Sequence, residues 1–566
     1  MSLFGSIQLA GNALRATTIG IHTVGQNIAN ANTPGYLREE VVFEPAPTQR
    51  VGDLLLGLGV DVTGIVQKVD RFLEGRVRSA ISDRAASETQ GQAFLELEQI
   101  LGELNDTDLS TAMNKFFGSI QEVLNQPESA AVRNLTVLEG AALAESITRI
   151  DDRIRVVRAD FDERVRASAG DINRLTEEIR RLNVQIAETE GGGVSASDAV
   201  GLRDQRGVAL SNLAALVDIR TDEQASGAVN VSVGGTFLVF EGQRNMVDVD
   251  LVSDRGAIVA NIQFADTGFP LAAGGGQLAG LIAARDQIVG GFLDQLDEFA
   301  RALIFEFNKL HSSGQGLSGY QSLVSESAVA DVDAALDVAG LPFTPVNGSF
   351  QVLVFNRQTG LTQTTDVLVD LNGLDGDDTT FRDLVTELNA IDGLAAEITP
   401  TRGVRLVSDS PDQDFAFAGD TSGVLAALGI NTFFRGSSAG DIAVRDGLRA
   451  DPGKFAASRG GVGADTDNAV ELATFADREL DSTGGPSVAV LYDRLVAGVT
   501  QGASVNGSIT EGFRLFEENL LGQHLSISGV SLDDEALRLI QYQTTYQATA
   551  RYISTLNDLL NVLVEL

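Results

Sequence analysis

The closing stretch, Gly529 to Leu566, constrains this chain more than any other. Ser531 is followed by Asp533, Asp534 and Glu535, so a helix starting here carries three carboxylates in its first turn. Unpaired backbone N–H groups and the helix dipole favour negative charge there. Apolar residues then recur at a heptad period. One row is Leu532, Leu539, Tyr546, Ile553 and Leu560; the row three residues on is Glu535, Tyr542, Thr549, Leu556 and Leu563. No Pro or Gly follows Gly529. The pattern predicts a coiled-coil seam, and a seam needs a second helix. The start of the chain offers one, with Ile7, Leu14, Ile21 and Ile28 in one row and Leu3, Ala10, Thr17 and Val24 in the other. The chain is therefore expected to begin and end in one helical pair, with everything between inserted into it. The plainer alternative is two ordinary core helices of a bundle.

A length of 566 residues predicts several domains, since single cores stop growing well below that size. With 43% hydrophobic residues the chain is globular. A net charge of −37 argues against nucleic acid and anionic membrane surfaces as partners. The absence of Cys excludes a disulfide framework and a thiolate metal site. No apolar run approaches the ~18 residues of a membrane span. The N-terminus lacks the basic, apolar and small-residue segments of a cleaved signal.

In chain order, Thr33 before a proline is pushed to extended geometry, and Pro34-Gly35 supplies the fixed and then positive φ of a type II turn. Helices are expected over Arg71–Leu104 and Leu109–Leu124, and a long one over Ala130–Glu188, ended by Gly191-Gly192-Gly193. The charges on that helix (Asp151, Asp152, Arg153, Arg155, Arg158, Asp160, Asp162, Glu163) read as a solvated, salt-bridged face. Ser197 is placed to cap the next helix. Alternation near residues 227–264 predicts a β-hairpin region. A helix over Leu278–Leu310 should break at Gly290-Gly291. From about 320 to 440 strands dominate, with Thr380 and Asp383 boxing a short helix. Helices return at Asn468–Leu480 and Pro486–Leu521.

The run Asn27-Ile28-Ala29-Asn30-Ala31-Asn32-Thr33-Pro34-Gly35-Tyr36 resembles the N-terminal pattern of flagellar rod, hook and hook-associated axial proteins. Gly529–Glu535 and Tyr542–Ala548 are similar to the C-terminal pattern of the same family. Leu202–Arg206, Gly276–Leu281 and Asn308–His311 resemble anchors inside its hook-associated members. The resemblance implies an α+β multidomain fold. Residues 1–36 plus 529–566 would form the terminal coiled-coil domain. Residues 37–319 plus 441–528 would form a long-helix, rod-like middle domain with the β-hairpin. Residues 320–440 would be an inserted β-rich outer lobe. The implied function is a structural subunit joining flagellar hook to filament. Its assembly seam would be Leu3, Ile7, Leu14, Ile21, Val24, Ile28, Leu532, Leu539, Tyr542, Tyr546, Ile553, Leu556, Leu560 and Leu563, and its motif turn Asn27, Asn30, Asn32, Thr33, Pro34, Gly35 and Tyr36. The implied partners are further copies in a ring or tube, hook protein, the next hook-associated protein, and an export chaperone on the C-terminal helix. Location would be the flagellum, reached through the flagellar secretion apparatus. No cofactor is implied.

Motifs that imitate chemistry are weak. Gly436-Ser437-Ser438-Ala439-Gly440 spells a nucleophile elbow, but its flanks read as strand and the one later histidine is His524. Gly274-x-Gly276-x-x-Ala279 imitates a dinucleotide loop without a βαβ unit. Asp370–Asp378 is acidic but lacks the alternating calcium ligands and closing Glu. His22, His311 and His524 lie far apart, so zinc has no support. The expectation is a non-enzyme. The rivals are a hook- or flagellin-type axial protein and a flagellum-associated peptidoglycan hydrolase. Family flagellins lack the Thr33–Tyr36 turn and hook protein lacks so long a helical middle; a hydrolase needs a carboxylate pair in a cleft.

Overall fold

The computed structural model describes residues 3–51, 54–102, 108–190, 197–374 and 376–565. The triple-glycine stop at 191–193, Leu104, Asp375 and the side chain of Leu563 lie outside the described residues. The helices are α1 (Leu3–Asn30), α2 (Arg71–Gly102), α3 (Leu109–Asn125), α4 (Ala130–Glu190), α5 (Val200–Leu216), α6 (Gly276–Ala283), α7 (Gly290–Ser312), α8 (Phe381–Asn389), α9 (Val424–Leu428), α10 (Asp446–Ala450), α11 (Asp467–Ala473), α12 (Val488–Ser528) and α13 (Leu532–Glu565). Small antiparallel sheets lie between them. The fold is α+β and multidomain, and it divides into two compact units. The first comprises Met1–Ala93, Ala159–Asp286 and Ser504–Leu566; the second comprises Phe94–Arg158 and Gln287–Ala503.

In the first unit, the Ala159–Glu190 part of α4 buries Phe161, Val165, Ile172, Leu175, Ile179, Leu182 and Ile186. Their spacing by three, four and seven puts them on one helix face. Polar residues dock this helix on the β region. Asn183 Nδ2 donates to Val229 O at 2.7 Å and its Oδ1 accepts from Val229 N at 3.0 Å. Asn173 repeats the same pair with Val247, at 2.7 and 3.0 Å. Each amide thus imitates a neighbouring strand's peptide group, satisfying edge groups that burial would otherwise leave unpaired. Asp162 does likewise: it accepts from Ala260 N at 2.7 Å and from Arg285 Nη1 at 2.8 Å. The sequence expectation of a wholly solvated charged face is corrected here, because Asp151, Arg158 and Asp162 are buried. A carboxylate buried with several donors reads in sequence like any surface acid.

Two further expectations change. Ser197 does not cap α5, whose start carries no side-chain cap; its Oγ accepts from Ile65 N at 3.0 Å instead. The break before α7 is a π-helical turn over Ala284–Val289, immediately ahead of the glycines. Gly276 and Gly280 of α6 are needed for close approach. A Cβ on Gly276, whose φ is +77°, would lie 2.5 Å from the Leu216 carbonyl, and one on Gly280 would lie 2.5 Å from Ala86 O.

The second unit has two cores. One is aromatic: Phe116, Phe117, Phe307, Phe433, Phe434, Phe455 and Phe475 meet around α3, α7 and α11, with Phe116 and Phe433 centroids 5.2 Å apart. His311 of α7 is fully buried beside it. Its Nδ1 is 2.8 Å from Asn431 O, and its Nε2 accepts from Ala456 N at 3.1 Å. The imidazole is therefore neutral with the proton on Nδ1. The other core runs from Leu323 to Ile430. Strand Gly348–Asn356 is flanked by Thr362–Val369 and Gln413–Ala418, and Val404–Ser408 by Ser322–Val324 and Leu394–Ile398. Helix α8 begins in the capping box of Thr380 and Asp383. Phe433 and Phe434 belong to the aromatic core, so the apolar interior of the lobe ends at Ile430.

Candidate assembly site at the terminal helix joint

Helices α1 and α13 pack against each other in the first unit. Gly20 lies under the Tyr542 ring, where a Cβ would come within 2.8 Å. Asn27 lies opposite Glu535, 3.1 Å from its Oε2. One chain position rises by seven as the other falls by seven, so the pair is antiparallel. The buried face of α1 is Ala10, Ala16, Thr17, Gly20, Thr23, Val24 and Asn27. These are mostly small residues, which let the backbones approach. On α13 the row facing inward holds Glu535 and Leu556, both buried, with Tyr542 and Thr549 half-buried.

Among the proposed seam residues, the structure brings Val24, Tyr542 and Leu556 into this contact. Leu3, Ile7, Leu14, Ile21, Ile28, Leu539, Ile553 and Leu560 are half-buried, and Leu532 and Tyr546 are exposed. The larger aliphatic residues thus flank the joint, and small residues fill it. Leu537, Ile540, Tyr552, Leu559 and Val562 are exposed on α13 as well.

The joint closes on a buried polar cluster. Asn27 Nδ2 donates to Glu39 O at 3.0 Å and to Glu535; its Oδ1 accepts from Tyr36 Oη and Glu39 N, both at 2.9 Å. All four hydrogen-bonding valences of this amide are filled. Glu535 has no exposed surface and receives Arg38 Nε at 2.8 Å and Nη2 at 2.7 Å. Arg38 N donates to Ser528 O at 2.9 Å, which ties the same residue to the end of α12. Sequence reasoning placed Glu535 with the dipole-facing acids and did not single out Arg38. The available signal was position: Glu535 stands in the heptad row seven residues before Tyr542.

The turn itself behaves as its residues require. Tyr36 N donates to Thr33 O at 3.2 Å, and Gly35 has φ +78°. Thr33 Oγ1 bonds Asn30 Oδ1, and Asn32 and Pro34 are exposed. A Cβ on Gly35 would sit 2.5 Å from Val208 Cγ2 of α5. Gly35→Val is expected to cost about 1–3 kcal/mol from backbone strain alone, and to be soluble but poor in assembly. A wild-type motility phenotype would remove the turn from the assembly machinery.

Helix α5 anchors the turn through residues 202–206. Asp204 Oδ1 accepts from Leu37 N at 3.3 Å and Gln67 Nε2 at 2.6 Å. Arg203 pairs with Glu190 and Glu223, each at 2.7 Å, and Arg206 reaches Asn183 Oδ1 at 3.0 Å and Gly227 O at 2.5 Å. Burial pushes the Arg206 guanidinium down to about 10 and the Asp204 carboxyl up to about 6, with the nearby Glu39 charge adding to the latter. Burial also raises the Tyr36 phenol well above its usual range, helped by Glu39 and Asp204. A cavity of about 710 Å³ lies between the turn, α2, α5 and the end of α12.

Among the described residues no group of three His, Asp or Glu side chains is placed to hold a metal. Ser438 Oγ, at the elbow-like spelling, donates to Asp441 at 2.8 Å. His311 is committed on both ring nitrogens, to Asn431 O and Ala456 N, and not to the Gly436–Gly440 turn. Among the described residues no helix is long and apolar enough to cross a membrane.

An α1–α13 pair closed by a motif turn defines a class of protein, and the comparisons with known proteins agree with it. Residues 7–36 match the family of flagella basal body rod proteins, and residues 521–566 match the C-terminal family of flagellar basal body rod FlgEFG proteins. Residues 94–323 match the helical domain of flagellar hook-associated protein FlgK. The chain belongs to the flagellar rod, hook and hook-associated protein family. Within that family it is similar along its length to flagellar hook-associated protein 1. It is 24% identical to that protein of Salmonella typhimurium and of Escherichia coli K12, over 99% of both chains in each case. It is 27% identical to that of Bacillus subtilis over 56% of this chain and 69% of the relative. The flagellar hook junction protein FlgK of Burkholderia pseudomallei matches 80% of this chain and all of its own, at a TM-score of 0.48 and 14% identity.

Proposed function

We infer that this chain is a non-catalytic structural subunit of the bacterial flagellum that joins hook to filament. It assembles with further copies into a tubular layer through α1 and α13, between hook protein and the next hook-associated protein. The observation that carries this is the joint. Its interior is closed by small residues and one buried ion pair, while the apolar flank of α13 is left outward. Leu537, Ile540, Tyr552 and Leu559 are each more than 40% exposed. Covering such a side chain contributes roughly 1.5–3 kcal/mol, so an open stripe favours association and, before assembly, aggregation. A dedicated export chaperone covering residues 529–566 answers that hazard, and the chain leaves the cell through the flagellar secretion apparatus. The terminal segments 1–36 and 529–566 are the inner-tube domain and residues 320–440 the outer lobe.

Ile553→Asp is expected to abolish both chaperone binding and incorporation while leaving the melting of the middle domain, residues 37–319 plus 441–528, unchanged. Calorimetric titration with the chaperone and a thermal melt of the same variant check this. Wild-type affinity, or a lowered melt of that middle domain, would make the α13 stripe ordinary core. Electron microscopy of cells lacking the protein tests the placement, since hooks without filaments are expected and normal filaments would refute it.

A further inference from the structure

We propose that the joint is a proton-sensitive latch: uptake of a proton by Asp204, facing Glu39, tightens the closure of the turn on α5, so the terminal helices are held more loosely at neutral pH than in mild acid. Three carboxylates, Glu39, Asp204 and Glu535, lie near one phenol, Tyr36. Glu39 and Glu535 are buried and Asp204 is half-buried. The cation inside the cluster is Arg38, and its Nε and Nη2 both go to Glu535. Asp204 and Glu39 are left without an ion-pair partner among the described residues.

The other charges around Asp204 do not compensate it. On its own helix, Arg203 is taken by Glu190 and Glu223, and Arg206 by Asn183 and Gly227. On the neighbouring strand Val60–Gln67 the contact is the neutral Gln67 amide, and Lys68 beyond it is exposed. Asp198, which accepts from Gln67 N at 3.1 Å, lies 3.7 Å from Arg203 and takes a further share of that guanidinium. From α1, His22 is exposed and acts on Glu39; from α13, Arg538 lies 3.7 Å from Glu40.

Both hydrogen bonds to Asp204 fall on Oδ1. A proton on Oδ2 therefore breaks neither and removes the repulsion from Glu39. Burial first, and Glu39 second, raise the Asp204 carboxyl to about 6; Glu39 is itself raised by burial, against the lowering influence of the Tyr36 hydroxyl and His22. An acid raised in the closed state binds its proton more tightly there than in the open state. Closure therefore strengthens as pH falls through about 6, until the open-state carboxyl also protonates near its ordinary value of about 4. Between pH 7.5 and 5 the closing constant should rise about tenfold.

Amide hydrogen exchange of the full chain, corrected for intrinsic rates, reads this at residues 27–40 and 200–206. Wild type is expected to gain about tenfold in protection from pH 7.5 to pH 5. Asp204→Asn keeps an acceptor at Oδ1 and mimics the protonated acid, so its protection should be high and flat across that range. Glu39→Gln should show a smaller gain than wild type, because the charge that helps raise Asp204 is gone. A flat wild-type profile, a wild-type slope surviving in Asp204→Asn, or an undiminished slope in Glu39→Gln would each overturn the latch. If Asp204→Asn does not fold, the wild-type and Glu39→Gln profiles decide the matter.

Discussion

Arg38→Met is expected to release α13 from α1 at a cost of about 3–5 kcal/mol. Glu535 has no exposed surface, and Arg38 supplies its ion-pair partner. Without the guanidinium, the carboxylate keeps the Asn27 amide and faces a desolvation penalty with no opposite charge against it. The double variant Arg38→Met/Glu535→Leu removes both charges and should recover most of the loss, because apolar groups of similar volume replace buried ion pairs with little or no penalty. Hydrogen exchange over residues 532–556, at fixed pH, separates the two. Equal instability of the single and double variants would show that the Arg38 side chain acts through packing and not through charge.

The second unit is expected to lose stability in the same pH range where the joint gains it. His311 is held neutral by the Asn431 carbonyl on one nitrogen and the Ala456 amide on the other. Burial lowers its imidazole to about 4, from an unfolded value of about 6.5. The folded state binds the proton less well, so stability is fully present above pH 6.5 and falls as pH drops toward 4. The linkage is worth roughly 3 kcal/mol across that window. Urea unfolding at pH 7 and pH 4.5 checks it, with His311→Gln as the reference. The variant should be weaker at pH 7 and show a shallower decline in acid. A selectively labelled His311 ring that titrates near pH 6.5 in the folded protein would refute the prediction.

The pieces of this architecture that were legible in sequence were those that repeat or punctuate. The heptads marked α1 and α13, the Thr380/Asp383 pair marked α8, and Pro34-Gly35 marked the turn whose positive φ the structure contains. What stayed hidden were single residues whose meaning depends on what lies across from them. Asn173 and Asn183 are unremarkable helix residues until two strands need a peptide-like partner. Asp162 sits in a run of charges that reads as solvated, yet it is buried against Ala260 and Arg285. Glu535 looked like a dipole-facing acid because it shares the first turn with Asp533 and Asp534, yet those two are exposed and it is buried. The heptads also named two rows per helix without saying which one faces the partner. The small residues decide that, since Ala10, Thr17 and Gly20 admit a closer backbone than Ile7, Leu14 and Ile21 would.

The single acid in the α13 row has one more consequence, for how the two helices find their alignment. Apolar heptads alone tolerate sliding, because each shift by seven residues presents much the same surface. Here a one-heptad slip would carry Glu535 from Asn27 to the level of Gly20, away from the Arg38 guanidinium, and would move the Tyr542 ring off the glycine that makes room for it. The misaligned pair would hold a dry, unneutralised carboxylate. Of the alignments a heptad sequence offers, only one lets the first and last helices of this chain close together.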